Sequence, residues 1–234
     1  MIKLYIDVKN KYKSTDEFIK KCILNDKDWI QIFGKTDCGE LKIKRGPGGQ
    51  PVLDDLNISV SHTAEMILLA VSDIGAIGID AENVTRSNFD AGKARKLAKR
   101  YFNKDELEYI CDGFEKSGLD KKEKQVEKIQ NENLNNRIED FDTGKSEENI
   151  TVRFLKIWTR KEALLKLRGI GLKGGLKIVK DSDTSVDTFF YDYNHDEKKE
   201  KLIVSLALNK SQGSFQHSIN HASINLSSTK KGHF

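Results

Sequence analysis

The sequence has only two prolines, three cysteines and two tryptophans, and aromatic residues make up 8% of its 234 positions. So few prolines beside 17 glycines exclude collagen-like and Pro-rich architectures. Cys22, Cys38 and Cys111 are odd in number and far apart, which suits neither a disulfide framework nor a C-x-x-C metal site. A reducing cytoplasm is the compartment expected. No apolar run approaches the ~20 residues that span a bilayer, so no membrane contact is expected. The opening MIKLYIDVKNKYK is interrupted by Lys3 and Asp7 and lacks the apolar centre of a secretory signal. Charge of one sign is also scarce. The 40 Lys and Arg face 36 Asp and Glu, for a net charge of +4, without the basic excess of a nucleic-acid binder.

What the chain does have is charge of both signs, 32% against 37% hydrophobic residues. Much of it gathers in residues 112–150, a stretch too polar to bury much apolar surface and therefore expected as an insertion. Val126, Ile129, Leu134, Ile138 and Phe141 leave room for a marginal amphipathic helix inside it. From Asn209 the chain is rich in Ser and Asn without any sustained period, and 209–234 is expected to be a disordered tail. His217 and His221 stand i,i+4 as helical metal ligands do, but such a segment is a poor helix and a solvated tail is the better reading.

The remaining sequence mixes strands and helices that segregate more than they alternate, which predicts an α+β fold. Strands are expected at Ile2–Ile6, Leu56–Ser61, Met66–Ser72, Ile77–Asp80, Leu176–Val179, Thr188–Tyr193 and Lys201–Leu208. Ser14-Thr-Asp-Glu17 is a capping-box sequence ahead of Phe18, Ile19, Cys22 and Ile23 at helical spacing. Helices are also expected at 91–102 and 153–168, and the Gly46–Pro51 cluster breaks the chain. Gly169-Ile-Gly171-Leu-Lys-Gly174 fits the dinucleotide pattern G-x-G-x-x-G, yet a helix enters it where a strand should. A glycine helix stop is the simpler explanation.

The informative residues are acidic. Asp80 and Glu82, at i and i+2 on an extended run, point to one face and repel unless a cation lies between them. Mg²⁺, which takes oxygen ligands and leaves room for water and phosphate, is one answer; a solvated strand end is another. On the 153–168 helix, Phe154, Ile157, Trp158, Leu164 and Leu165 form the apolar stripe, while Glu162 and Lys166 share a different face. They are either a surface ion pair or, with Asp80 and Glu82, a three-carboxylate centre with a lysine one turn away that handles phosphoryl groups. Ser61, His62 and Thr63 stand in a row at a turn, a structural feature or an anion pocket.

Four motifs in this order, Gly49-Gln50-Pro51, Asn57-Ile-Ser-Val-Ser-His-Thr63, Gly78-Ile-Asp-Ala-Glu82 and Trp158-Thr-Arg-Lys-Glu-Ala-Leu-Leu-Lys166, resemble those of the 4′-phosphopantetheinyl transferase superfamily. The Lys-Arg-Tyr-Phe102 stretch between the last two matches as well, and the resemblance covers residues 49–208. The length is similar to that of the Sfp-type branch, in which one chain holds two similar α+β halves related by a pseudo-twofold. The resemblance therefore implies a monomer with one unit over 1–208, halves at about 1–75 and 76–208, and the 112–150 insertion in the second.

It further implies a holo-acyl-carrier-protein synthase activity: transfer of the 4′-phosphopantetheine arm of coenzyme A to a serine of an apo acyl or peptidyl carrier protein, releasing adenosine 3′,5′-bisphosphate. The family's ligands for Mg²⁺ or Mn²⁺ fall on Asp80, Glu82 and Glu162. Glu162 would also help deprotonate the serine, and Lys166 would stabilise the leaving phosphate. His62 with Ser61 and Thr63 falls on a coenzyme A phosphate and adenine contact, Gly49, Gln50 and Pro51 on the loop under the adenine, and Lys161 on a further phosphate contact. The chain departs from the family in carrying Gln50 where Lys is frequent, and in lacking a clear basic stretch for the 3′-phosphate within residues 1–48. Lys42, Lys44 and Arg45 are the substitutes available. Lys93, Arg95, Lys96, Lys99 and Arg100 are either a solvated helix face or, on the resemblance, the surface that meets an acidic carrier. A Mg²⁺-dependent nuclease or phosphohydrolase, and a non-catalytic carrier-binding protein, are the alternatives.

Overall fold

The computed structural model describes residues 1–33, 41–85, 89–111, 147–170, 175–177, 179, 184–195 and 198–209. They form two compact units: one runs through Met1–Thr85 and resumes from Leu155, the other lies within Arg86–Phe154. The first unit is built on two three-stranded antiparallel sheets. In one, β5 (Met66–Ser72) lies between β1 (Ile2–Val8) and β4 (Asn57–His62); in the other, β8 (Lys198–Asn209) lies between β6 (Ile77–Asn83) and β7 (Thr184–His195). The mixture of helices and antiparallel sheets is the α+β class expected.

Alternation explains how the sheets stack. Ile2, Leu4 and Ile6 of β1 share one core with Leu68 of β5, Ile79 of β6 and Leu202 and Val204 of β8, so the two sheets meet face to face. Tyr5, on the opposite face of β1, joins Ile67, Leu69 and Val71 in a second core. That core is closed by Phe18, Ile19 and Ile23 of α1 (Thr15–Leu24) and Trp29 of α2 (Lys27–Phe33). β5 serves both cores, which is why Met66–Ser72 is buried throughout and shows no polar face. Lys3 is buried among these groups, but its ammonium reaches Asp26 and Asp28 at 2.5 Å each, and Tyr5 and Trp29 complete the network.

The outer face of the second sheet receives α5 (Glu147–Leu167) from Leu155 onward. Thr159 bonds Ser205 at 2.8 Å, Ser205 bonds Thr188 at 2.9 Å, and Arg160 donates to the Val186 carbonyl at 2.9 Å. At Gly78 the backbones nearly touch. A Cβ there would lie 2.0 Å from the Ala163 carbonyl oxygen and 2.6 Å from the Leu167 nitrogen, so only glycine fits.

In the second unit, α3 (Ala91–Tyr101) is capped by Asp90, which accepts from the Lys93 N–H at 2.8 Å, and it buries Ala94 and Ala98. α4 (Lys104–Cys111) begins with a reciprocal capping box in which Asn103 and Glu106 each accept the other's N–H at 2.9 Å. Phe154 lies against Phe89 and Phe102, with centroids 5.2 and 5.1 Å away.

Several expectations change. The helix expected at 153–168 starts at Glu147, inside the expected polar insertion, because Ile150 and Phe154, one turn apart, are both buried. Leu176 and Lys177 lie in a turn, not in a strand, and Gly169, at φ +66°, is the helix stop. Gly46–Pro51 is the tip of a small hairpin between β2 (Lys44–Arg45) and β3 (Pro51–Val52), with Gly49 at φ +79°. The rest of the insertion to residue 146, the tail from 210 with His217 and His221, Cys38 and Gly171–Gly174 lie outside the described residues. Among the described residues no helix is long and apolar enough to cross a membrane.

Because backbone blocks the space at Gly78, Gly78→Ala must part the strand from the helix. We expect a loss of about 1–3 kcal/mol of stability, read as a lower urea midpoint; an unchanged midpoint would show that α5 does not bear on β6.

Candidate functional site

The close approach at Gly78 sets the site two residues along β6 and on the flanking positions of α5. Asp80 lies on the face of β6 that α5 covers and is only 4% exposed. Lys166 reaches across from α5 and places its ammonium 2.7 Å from Asp80 Oδ1. The lysine expected to face Glu162 on its own helix thus serves a carboxylate on the strand. Ser61 donates to the same Oδ1 at 3.0 Å. Among the described residues Asp80 Oδ2 is buried with no hydrogen-bond partner.

Electrostatics ties Glu162 and Glu82 to this point. Burial, then the charges of Asp80 and Glu82, push the Glu162 carboxyl up to about 7, against the pull of Lys166. Burial also raises Asp80 above the usual carboxylate range, although Lys166 and Ser61 oppose it. Asp80, Glu82 and Glu162 therefore act on one another within one region, with the Lys166 ammonium placed on Asp80. Among the described residues no three acidic, imidazole or thiol groups already close into a metal cage. An orphaned carboxylate oxygen and hard oxygen donors that repel one another nevertheless fit a divalent cation that keeps several waters, as Mg²⁺ does.

The Ser-His-Thr row is divided by the fold. β4 turns Ile58 and Val60 toward the helical core and Ser59 and Ser61 toward β6, where their hydroxyls accept the Ile79 and Ala81 N–H groups at 3.0 and 3.1 Å. Thr63 closes the turn into β5, its hydroxyl accepting the Met66 N–H at 3.1 Å. His62 is exposed, and burial of part of the ring, then the charges of Lys9 and Lys166, hold it below its usual range, with Asp80 opposing. Lys9 has no motif around it. It arrives because its N–H bonds the Glu65 carbonyl at 2.7 Å, which brings the end of β1 beside the turn after His62.

Other expected contacts are engaged elsewhere. Lys161 is 3% exposed and donates to the Leu176 carbonyl at 2.6 Å, so it braces the chain beyond α5, and a phosphate contact requires that carbonyl to be exchanged. Gln50 bends back to accept the Gly48 N–H at 2.9 Å and so stiffens the hairpin tip of Gly49 and Pro51. Lys44 pairs with Asp54 and Arg45 with Asp16, both at exposed positions where such pairs exchange readily.

The family model described as the 4′-phosphopantetheinyl transferase superfamily matches residues 76–219, more than half of the chain. A protein of Synechocystis sp., provisionally named a 4′-phosphopantetheinyl transferase, is 28% identical over 157 residues, covering 64% of this chain and 49% of that protein. The chain thus spans about half the length of the curated relative it matches.

The raised Glu162 group makes a pH-dependent contribution of definite sign. Its folded value of about 7 lies above the ordinary 4.5, so the folded chain keeps a proton that the unfolded chain has lost, and stability falls as pH rises between the two. In metal-free protein, melting points measured from pH 4.5 to 8 should decline less for Glu162→Gln than for wild type. Parallel curves would mean that Glu162 does not feel the other carboxylates.

Proposed function

The chain belongs to the 4′-phosphopantetheinyl transferase superfamily, and on that premise we propose that it transfers the phosphopantetheine arm of coenzyme A to a serine of an apo carrier protein. The observation that carries the reading is the meeting of Asp80, Glu82, Glu162 and Lys166 where α5 crosses β6. Asp80, Glu82 and Glu162 would hold Mg²⁺ or Mn²⁺. When bound, the cation supplies positive charge to the coenzyme A pyrophosphate.

The serine oxygen attacks the phosphorus that carries the pantetheine arm, a new O–P bond forms, and the P–O bond to adenosine 3′,5′-bisphosphate breaks. A serine hydroxyl is a poor nucleophile at neutral pH, and Glu162, the carboxylate on α5 at this point, would take its proton. Lys166, 30% exposed at its side chain, would exchange Asp80 for the departing phosphate. Lys9 adds positive charge beside a neutral His62 on the β4 side, where the 3′-phosphate contact is otherwise unassigned.

The carrier would be met by α3, whose Lys93, Lys96, Lys99 and Arg100 are exposed while Ala94 and Ala98 face inward and Arg95 is half-buried. Such a face attracts an acidic partner by long-range charge. We expect the KM for the carrier to rise with salt and to rise further in Lys96→Glu/Lys99→Glu, with the KM for coenzyme A unchanged. A carrier KM indifferent to both would remove α3 from the interface.

Intact mass spectrometry of an apo carrier incubated with the protein, coenzyme A and Mg²⁺ tests the activity itself. The expected result is a carrier mass gain of one phosphopantetheine, absent with Glu162→Ala. Cleavage of coenzyme A without carrier modification would indicate a phosphohydrolase, and no reaction in either direction a binding protein.

A further inference from the structure

The two inward hydroxyls of β4, those of Ser59 and Ser61, are bonded to β6. Ser61 is 3% exposed, and its hydroxyl bonds both ways: its one proton goes to Asp80 Oδ1 at 3.0 Å, and it accepts the Ala81 N–H at 3.1 Å. Ser59, two residues earlier on the same face, accepts the Ile79 N–H at 3.0 Å. The pair satisfies the donors on the edge of β6 away from β8, and so holds the strand in register on either side of Asp80.

We propose that Ser61 is a positioning residue that fixes the Asp80 carboxylate, and that it does not contact the substrate. Ser61 and Lys166 both bond Oδ1, at 3.0 and 2.7 Å, and neither bonds Oδ2. Two donors on one oxygen stop the carboxylate from rotating and leave the buried Oδ2 as the atom it presents. In the proposed reaction Lys166 turns to the departing phosphate, and the buried Ser61 is then the donor that keeps Asp80 aimed. A partner that orients a ligating carboxylate in this way contributes to metal affinity without touching the metal. The inference rests on the metal reading of Asp80, Glu82 and Glu162.

Mn²⁺ affinity, read by the loss of the free-ion electron paramagnetic resonance signal, tests it in wild type, Ser61→Ala, Ser61→Thr and Ser59→Ala. Ser59→Ala loses a backbone bond of the same kind and no carboxylate contact. We expect Ser61→Ala to bind Mn²⁺ about 10-fold or more weakly, Ser61→Thr to recover most of that loss, and Ser59→Ala to stay within about twofold of wild type. In turnover, Ser61→Ala should then have its activity restored by added metal while its KM for coenzyme A stays fixed. Unchanged Mn²⁺ affinity in Ser61→Ala, or an equal loss in Ser59→Ala, overturns the inference and leaves the metal reading standing. A wild type that binds no Mn²⁺ overturns both.

Discussion

The contact on which the site depends is that of Gly78 with the backbone of α5. The atoms that a side chain at 78 would strike belong to Ala163 and Leu167, the immediate neighbours of Glu162 and Lys166. The absent Cβ therefore fixes both the depth and the register of the helix against β6. The hydroxyls of Thr159, Ser205 and Thr188 and the guanidinium of Arg160 hold the same helix one turn earlier, through polar contacts to the second sheet. A helix seated by shape at one point and by hydrogen bonds at another has little freedom to slide, which is what a site built from two elements requires.

That seating carries a penalty in the carboxylates it gathers. Asp80 lies almost out of water, Glu162 is raised to about 7, and one oxygen goes without a partner. Left alone, such a cluster destabilises the chain, and a fold keeps it where a cation or a proton is to be exchanged. The contrast with Lys3 is instructive. There, too, charge is buried, but Asp26, Asp28, Tyr5 and Trp29 satisfy every group, and nothing is left to react. Burial with completed bonding gives a structural network, whereas at Asp80 a buried carboxylate oxygen has no hydrogen-bond partner among the described residues.

Much of the fold was legible because its periodicities are plain. The alternation of β1 and β4, the capped start of α1 and the amphipathic run through Trp158 all correspond to observed elements. The elements missed were those too short to show a period: α2, where Trp29 supplies most of the burial, α4, and the two-residue strands β2 and β3. Carboxylate spacing on β6 points to the candidate site, and a glycine within a strand, as at Gly78, is itself a signal of close backbone approach. Partners across elements were not legible. Nothing local says that Lys166 bonds Asp80 and not Glu162, that Lys161 turns inward to Leu176, or that Lys9 is carried to His62 by strand pairing. The row Ser61, His62 and Thr63 looked like one pocket, yet alternation along a strand and closure of a turn assign the three side chains to three tasks.

The central claim is that the crossing of β6 and α5 is a cation and phosphate centre, and anomalous scattering from crystals grown with Mn²⁺ and coenzyme A tests it most directly. The account predicts one manganese peak in contact with Asp80 Oδ2, Glu82 and Glu162, with the pyrophosphate on its open side and Lys166 withdrawn from Asp80. Coenzyme A bound with no manganese at these carboxylates, and Lys166 still on Asp80, would contradict it.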